Sequence, residues 1–102
     1  MDIEEIKNII IKSTNKIENN PNDTDAYYNR GYYKSKLEDY KGAIADYDKV
    51  IEIDPNDAEA YENRSVIKSK LLDYKGALND IKKSIEINPE NAQHYWNSSV
   101  YK

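Results

Sequence analysis

The chain has 102 residues, 38% of them hydrophobic and 33% charged, and carries a net charge of −4. That length makes one small domain with a thin core, and the acidic balance argues against a nucleic-acid surface, which needs a basic stripe to replace counterions. With no cysteine, disulfides, thiolate metal sites and cysteine nucleophiles are excluded.

Glycine and proline are scarce, three each, which favours helix over turn-rich β structure. The longest aliphatic run, Ile9-Ile10-Ile11, is far short of a membrane span or a signal-peptide core. A soluble, cytoplasmic protein without a membrane partner is the expectation.

Residues 1–23 open with Ile3, Ile6, Ile9, Ile10 and Ile17 at helical spacing. From residue 24 the chain repeats itself: residues 24–57 and 58–91 are identical at 19 of 34 aligned positions. The stretch KSKLEDYKGA at 34–43 returns as KSKLLDYKGA at 68–77, and Pro21, Pro55 and Pro89 keep the same spacing. A period of this size means stacked supersecondary units.

Each unit reads as two helices. In the first, Ala26, Tyr27, Arg30, Gly31, Tyr33, Lys34 and Leu37 recur at three- and four-residue steps. Asp39, and Asp73 after it, is placed to cap a second helix with its carboxylate. That helix carries Tyr40, Ala43, Ile44, Tyr47, Val50 and Ile51 on one face and ends before Pro55, which disfavours helix at the preceding residue. Asn56 or Asp57 caps the next. Residues 92–102 match a first helix, with Tyr95 in the column of Tyr27 and Tyr61. The prediction is all-α: six helices, two complete pairs (24–57 and 58–91) flanked by half units (1–23 and 92–102), in a single domain over 1–102.

This pattern resembles the tetratricopeptide repeat family. The marks are the 34-residue period, the aromatic early in each first helix (Tyr27, Tyr61, Tyr95) and the small residue four later (Gly31, Ser65, Ser99). The alanine of each second helix (Ala43, Ala77), the residue four beyond it (Tyr47, Ile81) and the closing proline complete the set. The departures are Lys34 and Lys68 where the family usually has tyrosine, and Ser84 in the place of Val50; they read as tolerated changes at a looser helix contact. The resemblance implies a right-handed α-solenoid of antiparallel helix pairs whose first helices line a concave, peptide-binding side.

No catalytic constellation accompanies the repeat. His94 is the lone histidine and has no nucleophile fixed near it. Asp46 and Asp48 read as a solvated helix face, and Tyr27, Tyr40, Tyr47, Tyr61, Tyr74 and Tyr95 as core. No enzyme activity, cofactor or metal is expected. The faces opposite the core carry Tyr28, Asn29, Tyr32, Ser35 and Lys36, then Glu62, Asn63, Val66, Ser69 and Lys70, then Trp96, Asn97 and Val100. Asn29, Asn63 and Asn97 form a column whose amides can both donate to and accept from a peptide backbone. Tyr28, Tyr32 and Trp96 add aromatic anchoring area.

The family members that clamp acidic chaperone C-terminal tails place lysine, asparagine and arginine where this chain has Tyr28, Tyr32, Asn63, Gln93 and Asn97. Only Asn63 matches, so no chaperone-tail binding is expected. The expected partner is a neutral or apolar protein or peptide, with Lys36 and Lys70 adding a limited acidic preference. The alternative expectation is head-to-tail self-association into homo-oligomers through the open ends, given the isoleucine-rich first helix.

Overall fold

The computed structural model describes residues 1–90. They form five α-helices: α1 (Ile3–Asn19), α2 (Thr24–Lys36), α3 (Tyr40–Ile53), α4 (Ala58–Lys70) and α5 (Tyr74–Ile87). No strand occurs among the described residues. The sixth helix predicted over 92–102 lies outside them. Each helix packs extensively only on its neighbours in the chain, so the array is a linear stack of antiparallel pairs.

An aspartate caps the start of all five helices: Asp2, Asp23, Asp39, Asp57 and Asp73. Each carboxylate accepts from the backbone N–H three residues on, at 2.9–3.1 Å, satisfying a donor that the helix cannot. Of the two caps the sequence left open before α4, Asp57 is the one used. The turns after α1, α3 and α5 also repeat: Asn20, Asp54 and Asn88 each accept, through the side chain, the N–H two residues on.

The recurring ten-residue stretch is a joint between helices. At its first copy the Asp39 N–H bonds to the Lys34 carbonyl (2.9 Å) and the Glu38 N–H to the Ser35 carbonyl (3.0 Å), the two bonds of a Schellman stop. Asp39 then caps α3, so one residue closes a helix and opens the next. Asp73 does the same, bonding Lys68 at 2.9 Å. A Cβ on Gly42 or Gly76 would lie 2.8 Å from the Cγ of the capping aspartate, so the joint carries glycine there.

The stop forces one residue per joint to positive φ, Glu38 at 63° and Leu72 at 66°, a region that costs an L-residue roughly 1–2 kcal/mol. Leu72 is also 72% exposed, so little packing offsets that cost. Leu72→Gly is therefore expected to stabilise the chain by about 0.5–1 kcal/mol. A thermal melt would record a rise of a few degrees; an unchanged or lower midpoint would count against the strain.

The core is thin and central. Tyr27, Val50 and Ala60 form one cluster, with Ile17, Ile51 and Ile53 against it. Ala43, Tyr47 and Ile67 form a second, with Tyr28, Tyr40 and Ile44 against it. Tyr27 and Tyr47 are buried as expected, whereas Tyr40 and Tyr61 are half-buried. Tyr74 corrects the sequence reading: it is 64% exposed. Its counterpart Tyr40 packs beside Ile67 of α4.

Asp46 is a second correction. It is 3% exposed, not a solvated face residue. Arg30 donates to both of its oxygens, Nη2 to Oδ1 at 2.7 Å and Nε to Oδ2 at 2.9 Å, and Lys34 Nζ lies 3.4 Å from Oδ2. The second hairpin repeats the triad: Arg64 grips Asp80 at 2.7 and 2.9 Å and Lys68 lies 3.0 Å away. Lys34 and Lys68 are thus charge partners of a buried carboxylate and not tolerated losses of tyrosine. Gly31 allows the close approach, since a Cβ there would meet Asp46 Cβ at 3.1 Å and the Ala43 carbonyl at 3.2 Å. At the third departure, Ser84 is fully buried.

Candidate functional site

The last turns of α2 and α4 and the start of α3 enclose a groove of ≈ 340 Å³. Its floor is apolar: Tyr40 and Tyr47 from α3, Val66 and Ile67 from α4. Tyr32, Ser35 and Lys36 form one wall and Asn63 and Lys70 the other, with Glu38 at the joint. Tyr32 and Lys36 are shared with a second hollow of ≈ 320 Å³ reaching Met1, Ile6 and Tyr33. The groove therefore has a shoulder towards α1.

Of the predicted site residues, Tyr32, Lys36, Asn63, Val66 and Lys70 come together here. Tyr32 and Val66 offer the most apolar surface, at 42% and 50% exposed. The Lys36 ammonium rests 5.0 Å from the centroid of the Tyr32 ring, and Tyr33 meets that ring edge-on at 5.1 Å. Tyr32 is thus braced while one face of its side chain stays accessible.

Tyr28 and Asn63 are engaged with each other. Asn63 Nδ2 donates to the Tyr28 hydroxyl, and the Tyr28 ring packs edge-on against Tyr47 at 5.5 Å. Burial, and then the adjacent Glu59 carboxylate, push the Tyr28 phenol far above its ordinary range, so it stays neutral. Asn63 thereby ties α4 to α2 and retains its carbonyl oxygen and second N–H for other partners. Asn29 is exposed and lies outside the groove lining. Glu62 is half-buried, its carbonyl accepting from Ser65 Oγ at 2.6 Å. Trp96 and Asn97 lie outside the described residues.

The sequence reading missed Tyr40, Tyr47 and Ile67 as groove floor. The sequence places Tyr40 and Tyr47 in the core and gives Ile67 no role, and Tyr47 is almost wholly packed, at 1% exposed. The signal was the joint itself: a tight stop at Leu37–Asp39 sets the first turn of α3 beside the last turn of α2. Among the described residues no group of histidines and carboxylates could hold a metal, and no described helix is long and apolar enough to cross a membrane.

Two family models described as tetratricopeptide repeat match the chain, at residues 24–57 and 46–79. The chain belongs to the tetratricopeptide repeat family. Its helix pairs accordingly stack as an α-solenoid, and the same architecture appears in solved structures. MamA is 26% identical with a TM-score of 0.82, the match covering 89% of this chain and 53% of that one. YrrB, described as a TPR protein with an unusual peptide-binding site, is 25% identical with a TM-score of 0.85, covering 95% and 50%. MamA from Desulfovibrio magneticus RS-1, 20% identical with a TM-score of 0.80 over 86% and 50%, shares the fold. This tetratricopeptide chain spans about half the length of these proteins. The comparison with curated proteins gave no match.

Proposed function

We propose that the chain is a non-catalytic interaction module that holds a peptide or a partner helix in the groove between α2, α3 and α4. The units 24–57 and 58–91 supply the two walls. The observation that carries this reading is the groove itself, with Tyr32 and Val66 half exposed above an apolar floor. Exposed apolar surface gathered in one concavity is what a binding site offers. The peptide-binding site named for YrrB supports a similar use here.

The test is selection of random peptides by phage display on the immobilised chain, beside a Val66→Arg variant. Val66 is exposed, so arginine there leaves the packing intact and obstructs the groove. Enriched peptides are expected to bind the variant at least about tenfold more weakly, a loss of about 1.4 kcal/mol. Equal binding to both proteins would sink the groove reading.

A specific feature favours a second reading, self-association through the ends. Tyr74 and Leu78 on α5 are 64% and 52% exposed, and Ile3 and Ile11 on α1 are 59% and 56% exposed. A mass by light scattering that falls to the monomer on Leu78→Glu would support it. A monomeric parent at high concentration would remove it.

A further inference from the structure

The groove's lysines narrow what it takes. Each joint begins Lys-Ser-Lys, at 34–36 and 68–70. The first lysine of each pair is committed to the buried carboxylate, Lys34 to Asp46 and Lys68 to Asp80. The second of each, Lys36 and Lys70, is exposed and lines the groove. Among the described residues neither has a salt-bridge partner. Lys36 rests on the Tyr32 ring, which orients the ammonium without neutralising it. Glu38 is the one carboxylate among the lining residues.

We propose that the ligand is a peptide in which acidic residues flank a large apolar one. The apolar side chain lies over Tyr40, Val66 and Ile67, and the carboxylates meet Lys36 and Lys70. This rests on the groove reading above and gives it a ligand class. The spacing follows from the repeat. Helices in side-chain contact lie about 8–10 Å apart, so equivalent residues on α2 and α4 are separated by about three residues of extended chain at roughly 3.3 Å each. The long lysine stems absorb a residue either way. The site differs from the clamp for acidic chaperone tails, whose places hold Tyr28, Tyr32 and Asn63 within the described residues.

The test repeats the phage selection on the full chain and on a Lys36→Glu/Lys70→Glu double variant. Both lysines are exposed, and circular dichroism would check that the variant is folded. The parent is expected to enrich peptides with acidic residues two to four apart around an apolar one, and the double variant to lose them in favour of basic peptides. A synthetic form of the most enriched peptide should bind the parent about fivefold more tightly than its Gln/Asn analogue, the scale of exposed ion pairs, and the gap should shrink in high salt. Neutral or basic peptides enriched by the parent, and lost on Val66→Arg, would overturn the acidic class and leave the groove standing. Unchanged selection by the double variant would overturn the roles of the lysines. Enrichment by neither protein would overturn the groove reading and this proposal with it.

Discussion

A Tyr47→Ala chain is expected to lose roughly 3–5 kcal/mol of stability, the usual cost of truncating a buried aromatic ring. Tyr47 is 1% exposed and packs with Ala43 and Ile67, with Tyr28, Tyr40 and Ile44 around them, so its loss opens the contact between α3 and α4. Domains hold about 5–15 kcal/mol in total, and a chain this thin belongs near the lower end. Urea unfolding followed by circular dichroism would read the change; a loss under about 1 kcal/mol would contradict the packing described. Tyr47→Phe isolates the hydroxyl. Burial, helped by the nearby Tyr32 and Asp46, pushes the Tyr47 phenol up to about 12. The unfolded chain releases that proton near its ordinary value of 10.0. Stability from this group is therefore complete below pH 10 and is lost as pH rises towards 12. The parent should weaken over that window by more than Tyr47→Phe does, and parallel curves would refute the burial of the phenol.

The second large effect lies in the charge triads. Asp46→Ala leaves Arg30 and Lys34 facing each other without their carboxylate. Breaking a fully buried pair costs about 3–5 kcal/mol. Arg30 and Lys34 keep 18% and 23% of their side chains accessible, so about 2–3 kcal/mol is expected. Arg64 differs from Arg30 in one respect. Its Nη1 reaches across to Asp48 of the preceding hairpin at 2.7 Å, where Arg30 finds only the neutral Thr14 hydroxyl at 3.3 Å. Asp80→Ala therefore leaves Arg64 one partner and is expected to cost less than Asp46→Ala. Adding Lys34→Met to Asp46→Ala should recover part of the loss by removing the residual repulsion. Equal costs at both positions, or no recovery, would count against this electrostatic account.

How much of this was legible in the sequence depended on whether a feature was local. The joints were: Asp39 and Asp73 announce themselves as caps, and the closing prolines mark where α1, α3 and α5 end. The small residues Gly31 and Ala43 reported close helix contact, and the structure places them against each other across α2 and α3. Asp46 was not legible because an aspartate within a helix looks like a solvated residue until its partner is known. That partner sits sixteen residues earlier, on a different helix. The trace it left was the recurrence of Arg30, Lys34 and Asp46 as Arg64, Lys68 and Asp80. Tyr40 and Tyr74 make the complementary point. Identical letters in identical local contexts end with different exposure: Tyr40 packs against the cluster that includes Ile67 of α4, and Tyr74 is 64% exposed. Of the candidate groove residues, Tyr32, Lys36, Asn63, Val66 and Lys70 line one hollow, because they lie on the faces of α2 and α4 that the helical period sets away from the core, while Tyr28 turns onto Tyr47.

That each helix packs extensively only on its chain neighbours also has a mechanical consequence. A stack without a contact closing its first helix onto its last resists bending joint by joint, as a coil spring does. A pull on its ends loads each interface in series, and the weakest yields alone. Between α3 and α4 that load falls on the Tyr47 cluster and on the Arg64–Asp48 strut. Between α1 and α2 the matching strut is only the Arg30–Thr14 hydrogen bond. The two interfaces therefore differ in their polar ties, an ion pair between α3 and α4 against a neutral hydrogen bond between α1 and α2, and a ligand lying across α2 and α4 would add a further tie to the span that already carries the charge.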